Sequence, residues 1–206
     1  MKKFLIGLAV VAGVVLILVA VFASGYNRLV KLSQGVDAQW AQVQNVYQRR
    51  LDLVPNLVKT VQGAADFEKS TLTAVTDARA SVGRVTVDAS SVPADAAKLA
   101  EFEKAQGQLS AALSRLLVVS ERYPELKANE NFRDLQAQLE GTENRIAVER
   151  GRFNDAVRDY DTAIHTLPGV FFARMMGYTD KPYFAAAPAA ATAPQVEFNF
   201  GAPAGK

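Results

Sequence analysis

A hydrophobic repeat through residues 132–167 constrains the fold more than any other feature of the chain. The positions in this repeat are Phe132, Leu135, Leu139, Thr142, Ile146, Glu149, Phe153, Ala156, Tyr160, Ala163 and Leu167. Steps of three and four place these side chains on one face of an α-helix, in a pattern that continues for about five heptads. In a β-strand, successive side chains point to opposite faces, so a strand could not place this repeat on one face. The sequence therefore predicts one long helix, closed by the Leu-Pro-Gly segment at 167–169.

Three earlier segments carry helical spacing as well. The first begins near Tyr26 and is interrupted only at Arg50; the others cover 65–82 and about 94–123. The apolar positions of the first are Trp40, Val43, Tyr47, Val54, Leu57 and Val61. No segment shows sustained period-two alternation. The predicted fold class is therefore all-α, an antiparallel four-helix-type bundle of long helices.

The N-terminus carries an apolar stretch from Phe4 to Gly25, with no charge between Lys3 and Arg28. A helix that spans a bilayer needs about 20 apolar residues, so this stretch predicts a transmembrane helix. Only Gly25 separates it from the first bundle helix, and the two are expected to be continuous. A cleaved signal peptide, with a small-residue site near Ala23, is the alternative, although its apolar region is normally only about 7–15 residues long.

Charges beside the apolar stretch predict its orientation. Lys2 and Lys3 precede it as a tight cluster, and Arg28 and Lys31 follow it. The positive-inside rule favours a cytoplasmic N-terminus, with the bundle outside the cytoplasm. The predicted organisation is a transmembrane helix at 1–25, a helical bundle at 26–184 and a flexible Ala/Pro-rich tail at 185–206.

Composition argues against several classes of function. The 23 basic and 21 acidic residues nearly cancel, which is unlike a nucleic-acid-binding protein. The chain has no cysteine and one histidine, His165, so thiol chemistry is excluded and a zinc site would be unusual. The sequence has no serine elbow, phosphate loop or paired metal ligands. We therefore expect no enzymatic activity, no cofactor or metal, and no small-molecule substrate.

Polar residues interrupt the apolar faces at a few positions. The spacing places Arg50 inward on the first bundle helix, and Thr142 and Glu149 inward on the last. Our hypothesis is that Arg50 and Glu149 pair inside the bundle, with Asn56 or Thr142 completing the hydrogen bonds and the pair setting the register. The alternatives are long side chains that reach solvent and a buried proton-transfer site.

Pro55, within the segment RRLDLVPNLV at 49–58, lies in the middle of the first bundle helix. Proline removes one helical hydrogen bond, but the apolar spacing continues to Val61, so we predict a kink and not a stop. The carbonyl freed near Leu51 would then be satisfied by Arg49, Arg50 or Asn56.

Residues 169–184 are rich in aromatic residues and methionine. The favoured interpretation is a strap that packs on the end of the bundle. The alternative is a partner or membrane contact, as an interfacial segment or an oligomer surface, through Phe171, Phe172, Met175 and Met176. In the tail, QVEFNF at 195–200 alternates apolar and polar residues and could add as a strand to a partner.

Several blocks of the sequence, in order, resemble the bacterial LemA family. They are YNRLVKL, RRLDLVPNLV, TLTAVTDARA, ALSRLLVVSERYPELKANENF, LQAQLEGTENRIAVERGRFNDAVRDYDTAIHTLPG and KPYF. The resemblance extends from the membrane segment to about Phe184; the Gly/Ser/Pro-containing connection after Ala80 and the tail depart from it. It implies a membrane-anchored antiparallel bundle with no established catalytic residues. Some relatives are linked to shaping or organising membranes.

These observations together predict a non-enzymatic, membrane-anchored scaffold that self-associates and organises membrane or envelope proteins. Its expected location is the bacterial inner membrane, as a single-pass protein with the bundle on the outer side. The expected partners are the lipid bilayer, further copies of the chain and envelope proteins, with no nucleic acid. The alternative function is an adaptor for a membrane protease or envelope quality-control machinery, recognised through the tail.

Overall fold

The computed structural model describes residues 2–63, 68–85 and 96–185, and within these ranges the chain is all-α, as predicted. The helices are α1 (Lys2–Gln62), α2 (Lys69–Arg84), α3 (Ala96–Ser120), α4 (Pro124–Ala128), α5 (Glu130–His165) and α6 (Gly169–Met176). The tail beyond Ala185, including QVEFNF, lies outside the described residues.

The two longest helices, α1 and α5, run antiparallel. Trp40 packs on Phe153 with ring centroids 5.6 Å apart, and further along α1 Arg50 meets Glu143 at 2.6 Å. Residue numbers therefore increase along α1 in the same direction in which they decrease along α5. The α1–α5 pair is the most extensive helix–helix contact of the bundle.

The helices α2 and α3 complete an up-down-up-down arrangement. Arg79 of α2 reaches Leu51 of α1, and Glu68, just before α2, pairs with Arg122, just after α3, at 2.7 Å. The helix α2 is thus antiparallel to both α1 and α3, because the start of α2 lies beside the end of α3. Short connections between successive antiparallel helices are typical of this bundle topology.

The helix α1 is continuous from the apolar N-terminal stretch into the bundle. Its 61 residues include a segment long and apolar enough to cross a membrane, and that segment is not buried within the protein. At 1.5 Å per residue, the part from Tyr26 to Gln62 extends about 55 Å. The expected continuity across Gly25 is therefore observed.

Pro55 lies inside α1, which continues to Gln62 and does not stop at the proline. The predicted kink at Pro55 stays a prediction. The freed Leu51 carbonyl accepts a hydrogen bond from Arg79 Nε at 3.3 Å. The predicted partners Arg49, Arg50 and Asn56 are wrong, because a neighbouring helix supplies the donor.

Buried apolar side chains form two clusters, one above the other along the bundle. The proximal core, nearer the apolar stretch, contains α1 residues from Leu29 to Tyr47 together with parts of α3, α5, α6 and Phe184. The distal core contains α1 residues from Leu53 to Val61 with side chains of α2, α3, α4 and α5. Both α1 and α5 pass through both cores.

Candidate functional site

Arg50 is the most buried charged residue among those described, with 1% of its surface exposed. It lies on α1 between Tyr47 of the proximal core and Leu53 of the distal core. A charge at this depth is unfavourable unless other groups pair with it and accept its hydrogen bonds. The groups around Arg50 therefore decide whether its buried charge is tolerated.

The guanidinium of Arg50 binds side chains of two other helices. Nη1 donates to Ser110 Oγ of α3 at 2.7 Å and to Glu143 Oε1 of α5 at 2.6 Å. Nη2 donates to both the side-chain oxygen and the backbone carbonyl of Gln106. The Nε atom has no partner among the described residues. We call this group, Arg50 with Gln106, Ser110 and Glu143, the polar layer.

The polar layer joins α1, α3 and α5 at one level of the bundle. The side chain of Glu143 is 44% exposed, so the acid end of the layer reaches solvent while the arginine end is buried. The Arg50 guanidinium also lies 5.2 Å from the centre of the Tyr47 ring, a cation–π distance. Sliding α1 against α5 by one turn would separate the two charges, and sliding α3 would remove the neutral partners of Arg50, so the layer selects the register of all three helices.

The predicted pairing of Arg50 with Glu149 is wrong. Glu149 pairs instead with Arg152, one turn away on α5, at 2.8 Å. The α1–α5 crossing places Glu143 opposite Arg50, six positions earlier than the heptad pattern indicated. Thr142 is buried, but its hydroxyl donates to the Gln138 carbonyl at 2.7 Å and does not complete the layer.

The remaining members of the layer were missed by the sequence interpretation. Asn56, named there as a possible member, is exposed. Gln106 is 4% exposed and falls in the apolar row of α3 between Phe102 and Leu109. A polar residue within that row was the signal that could have identified it. Ser110 and Glu143 lie one position away from apolar positions and gave no comparable signal.

The described residues hold no cluster of three acidic, histidine or cysteine side chains that could bind a metal. In the polar layer, the Ser110 hydroxyl is an acceptor for Arg50, and Arg50 is the charged partner of Glu143. These contacts hold α1, α3 and α5 together.

A strap, residues 177–185, runs from α6 back along α5. The backbone N–H of Phe184 donates to Asn154 Oδ1 at 2.9 Å, and Asn154 Nδ2 donates to the Phe184 carbonyl at 3.1 Å. The Phe184 ring lies 5.3 Å from Phe153 and 6.0 Å from Trp40. The strap thus covers one side of the proximal core.

Titratable groups hold the first half of the strap. Tyr160 donates to the Thr179 carbonyl at 3.0 Å, and burial, with a smaller contribution from the Asp161 charge, raises the pKa of Tyr160 to about 12. Asp161 accepts from the Lys181 backbone at 3.2 Å, and burial raises its pKa. His165, the single histidine, lies 2.6 Å from Asp180.

The short helix α6 divides its large apolar residues between the bundle and solvent. Phe172 is buried and packs edge-on against Phe22 of α1, with ring centroids 4.8 Å apart. Phe171 is 68% exposed, Met175 63% and Met176 41%. The aromatic segment is therefore partly a packed strap, and partly an exposed apolar surface beside the N-terminal stretch.

The chain is similar in sequence to a known protein family and to several known proteins. The family model described as the LemA family matches residues 39–198. The magnetosome protein MamQ of Magnetospirillum gryphiswaldense is 26% identical over 186 residues, which cover 81% of this chain and 67% of that protein. The MamQ 1 and MamQ 2 proteins of Paramagnetospirillum magneticum are each 26% identical over 193 residues, covering 84% of this chain and 70% of theirs.

Proposed function

Because the chain belongs to the LemA family, we propose that this membrane-associated protein is a non-enzymatic scaffold that self-associates and organises membrane or envelope proteins. The observation that carries the proposal is α1, one helix that contains both a span-length apolar segment and the central helix of the bundle. A bundle built directly on its anchor keeps a fixed geometry relative to the bilayer.

Packing along α1 supports a rigid projection. Its buried positions begin at Leu29, four residues beyond Gly25, and recur to Val61. The helix is therefore held by α5 and its neighbours almost from the end of the apolar segment. A scaffold needs this property, because a bundle on a flexible linker would not present its surface at a set height.

Self-association is the part of the proposal most open to test. The full chain, extracted in mild detergent, would be cross-linked and measured by light scattering over a range of protein concentrations. We expect particles larger than one chain and cross-linked products of discrete size. A strictly monomeric particle at all concentrations would contradict the self-associating scaffold.

We propose a single-pass topology in the bacterial inner membrane, with the N-terminus cytoplasmic and the bundle outside. Lys2 and Lys3 before the apolar segment support this orientation. Proximity labelling with the enzyme fused at the C-terminus would report the side of the membrane and the neighbouring proteins together. Labelling of cytoplasmic proteins only would reverse the orientation.

An adaptor role through the C-terminal tail is the second candidate. It rests on the alternating QVEFNF segment at 195–200, which follows a strap fixed to the bundle up to Phe184. An extended segment can add to the edge of a partner's sheet. Deleting 185–206 should then abolish partner recovery in a pull-down, and unchanged recovery would remove this candidate.

A further inference from the structure

An apolar row is exposed along α6 and the residue pair before it. Leu167, Phe171 and Met175 are spaced by four and are 73%, 68% and 63% exposed. Phe171 and Met175, four apart on α6, lie one above the other on its face, and Leu167 is exposed in the turn just before the helix. Large apolar side chains gathered in this way mark a contact surface and are unlike isolated exposed residues.

The position of the row along α1 is set by Phe172. Its ring packs on Phe22 and lies against Gly25, where a Cβ atom would stand 2.2 Å from Phe172 Cε2. Phe22 and Gly25 belong to the last turns of the apolar segment. The helix α6 therefore lies beside the end of the predicted span, where a bilayer surface would be.

A second close approach holds α6 against the other long helix. A Cβ atom at Gly169 would lie 2.0 Å from the Ala163 carbonyl oxygen, so only glycine allows this distance. The helix is thus wedged between α1 and the end of α5, with Phe172 and Ala173 turned inward. Its exposed row is held in place and does not depend on a free segment.

Positive charge accompanies the row. Arg174 is exposed on α6, and Arg28 lines the same shallow pocket as Leu167 and Gly169. Neither arginine forms an ion pair within the described part of the chain. Basic side chains beside an apolar helical face suit the boundary between phosphate headgroups and acyl chains.

We infer that α6 is a second membrane contact, with Leu167, Phe171 and Met175 inserted at the lipid interface and Arg28 and Arg174 at headgroup level. This inference rests on the membrane anchoring proposed above. The occupant of the row is the bilayer, because the Phe22–Phe172 contact holds α6, and with it the row, beside the end of the apolar segment. With two contacts, α1 and α6, the bundle is fixed in rotation about the α1 axis as well as in height.

The absence of cysteine from the chain makes a direct test simple. Single-cysteine variants Phe171→Cys and Met175→Cys of the full chain would carry a nitroxide label and be reconstituted in vesicles of phosphatidylcholine with phosphatidylglycerol. Collision of the label with oxygen, which concentrates in lipid, would be compared with collision with a water-soluble nickel complex. Circular dichroism would establish that each labelled protein is folded.

Two further positions serve as references. Val118→Cys, an apolar position 70% exposed on α3 in the distal half of the bundle, reports water. Leu16→Cys, 69% exposed in the apolar segment, reports the hydrocarbon if the anchor spans the bilayer. We expect labels at 171 and 175 to favour oxygen relative to the label at 118, with a weaker preference than at 16.

The outcomes separate the inference from the proposed function. Labels at 171 and 175 that match the aqueous label at 118, while 16 is in lipid, would overturn the α6 contact alone. Shielding from both reagents, with spin–spin broadening that disappears on dilution with unlabelled protein, would show that a second copy covers the row and would also overturn it. An aqueous label at 16 would overturn the anchor itself.

Discussion

At the scale of single residues, the defining feature is a buried arginine whose acid partner reaches the surface. Arg50 is 1% exposed, whereas the Glu143 side chain is 44% exposed. The two ends of the pair therefore respond differently to substitution. Removing the acid leaves a buried charge with neutral partners only, while Glu143 without arginine can be hydrated.

Glu143→Gln should destabilise the folded protein by about 1.5–3 kcal/mol, the range for a hydrogen bond to a charged group. For a chain of this size, that lowers the melting temperature by roughly 3–12 °C. Glu149→Gln is the matched control, since its pair with the exposed Arg152 should be worth about 1 kcal/mol or less. Thermal unfolding followed by circular dichroism measures both, and a larger loss at Glu149 would contradict the polar layer.

Tyrosine ionisation should weaken the fold at high pH. The pKa of Tyr160 is raised to about 12 by burial, against an unfolded value near 10. Between these values the unfolded state has lost the proton that the folded state retains, so stability is full below pH about 10 and falls as pH rises toward about 12.

Tyr160→Phe should reduce this alkaline loss, although Tyr47 and Tyr183, whose pKa values burial also raises, will retain part of it. Denaturant unfolding at about pH 9 and about pH 11 gives the comparison, across the range where an ordinary tyrosine titrates. If the free energy of unfolding fell by the same amount between the two pH values in wild type and variant, the role of Tyr160 would be contradicted.

At the scale of elements, α1 carries a proline that a neighbouring helix accommodates. Pro55 cannot donate to the Leu51 carbonyl, and Arg79 of α2 does so instead. The hydrogen bond links α1 and α2 at the place where α1 lacks its own. It also explains how the helix continues to Gln62 with its apolar face still in the distal core.

A double-mutant cycle on Pro55 and Arg79 tests this compensation. In the wild-type background, Arg79→Ala should cost about 0.5–1.5 kcal/mol, because the Leu51 carbonyl loses its donor. In a Pro55→Ala background the new N–H of residue 55 can bond to Leu51, so the same substitution should cost much less. Arg84→Ala, a charge loss elsewhere on α2, should cost the same in both backgrounds. Equal costs for Arg79→Ala would reject the compensation.

At the scale of the whole molecule, α1 and α5 join two apolar cores through the polar layer. The single tryptophan, Trp40, lies in the proximal core against Phe102, Phe153 and Phe184. The helices α1, α3 and α5 contribute side chains to both cores and should couple them into one unfolding unit, because neither core can lose one of these helices alone.

Leu116→Ala in the distal core tests this coupling. Leu116 is fully buried, and such truncations cost about 2–5 kcal/mol. We expect the melting transition seen by Trp40 fluorescence to shift down together with the helical signal from circular dichroism. A Trp40 transition that stays at its wild-type temperature while helicity is lost earlier would show two independent cores.

Local periodicity accounts for how much was predictable. Because an α-helix has 3.6 residues per turn, its buried face appears in the sequence as apolar residues spaced by three and four. The helices α1, α2, α3 and α5 could therefore be recognised from the sequence alone. Only part of the polar layer could be predicted from periodicity. Arg50 interrupts its own apolar row and was identified, whereas Glu143 belongs to a helix 93 residues away.

By itself the sequence determined the long helices, the apolar N-terminal segment, its continuity with the bundle and the LemA family. The tertiary structure decided which charges and carbonyls meet: Glu143 and not Glu149 beside Arg50, and Arg79 at the Leu51 carbonyl. It also decided which face of α6 is buried. The reason is physical: periodicity sets each helix's own faces, but the rotation and crossing of packed helices depend on side chains distant in sequence.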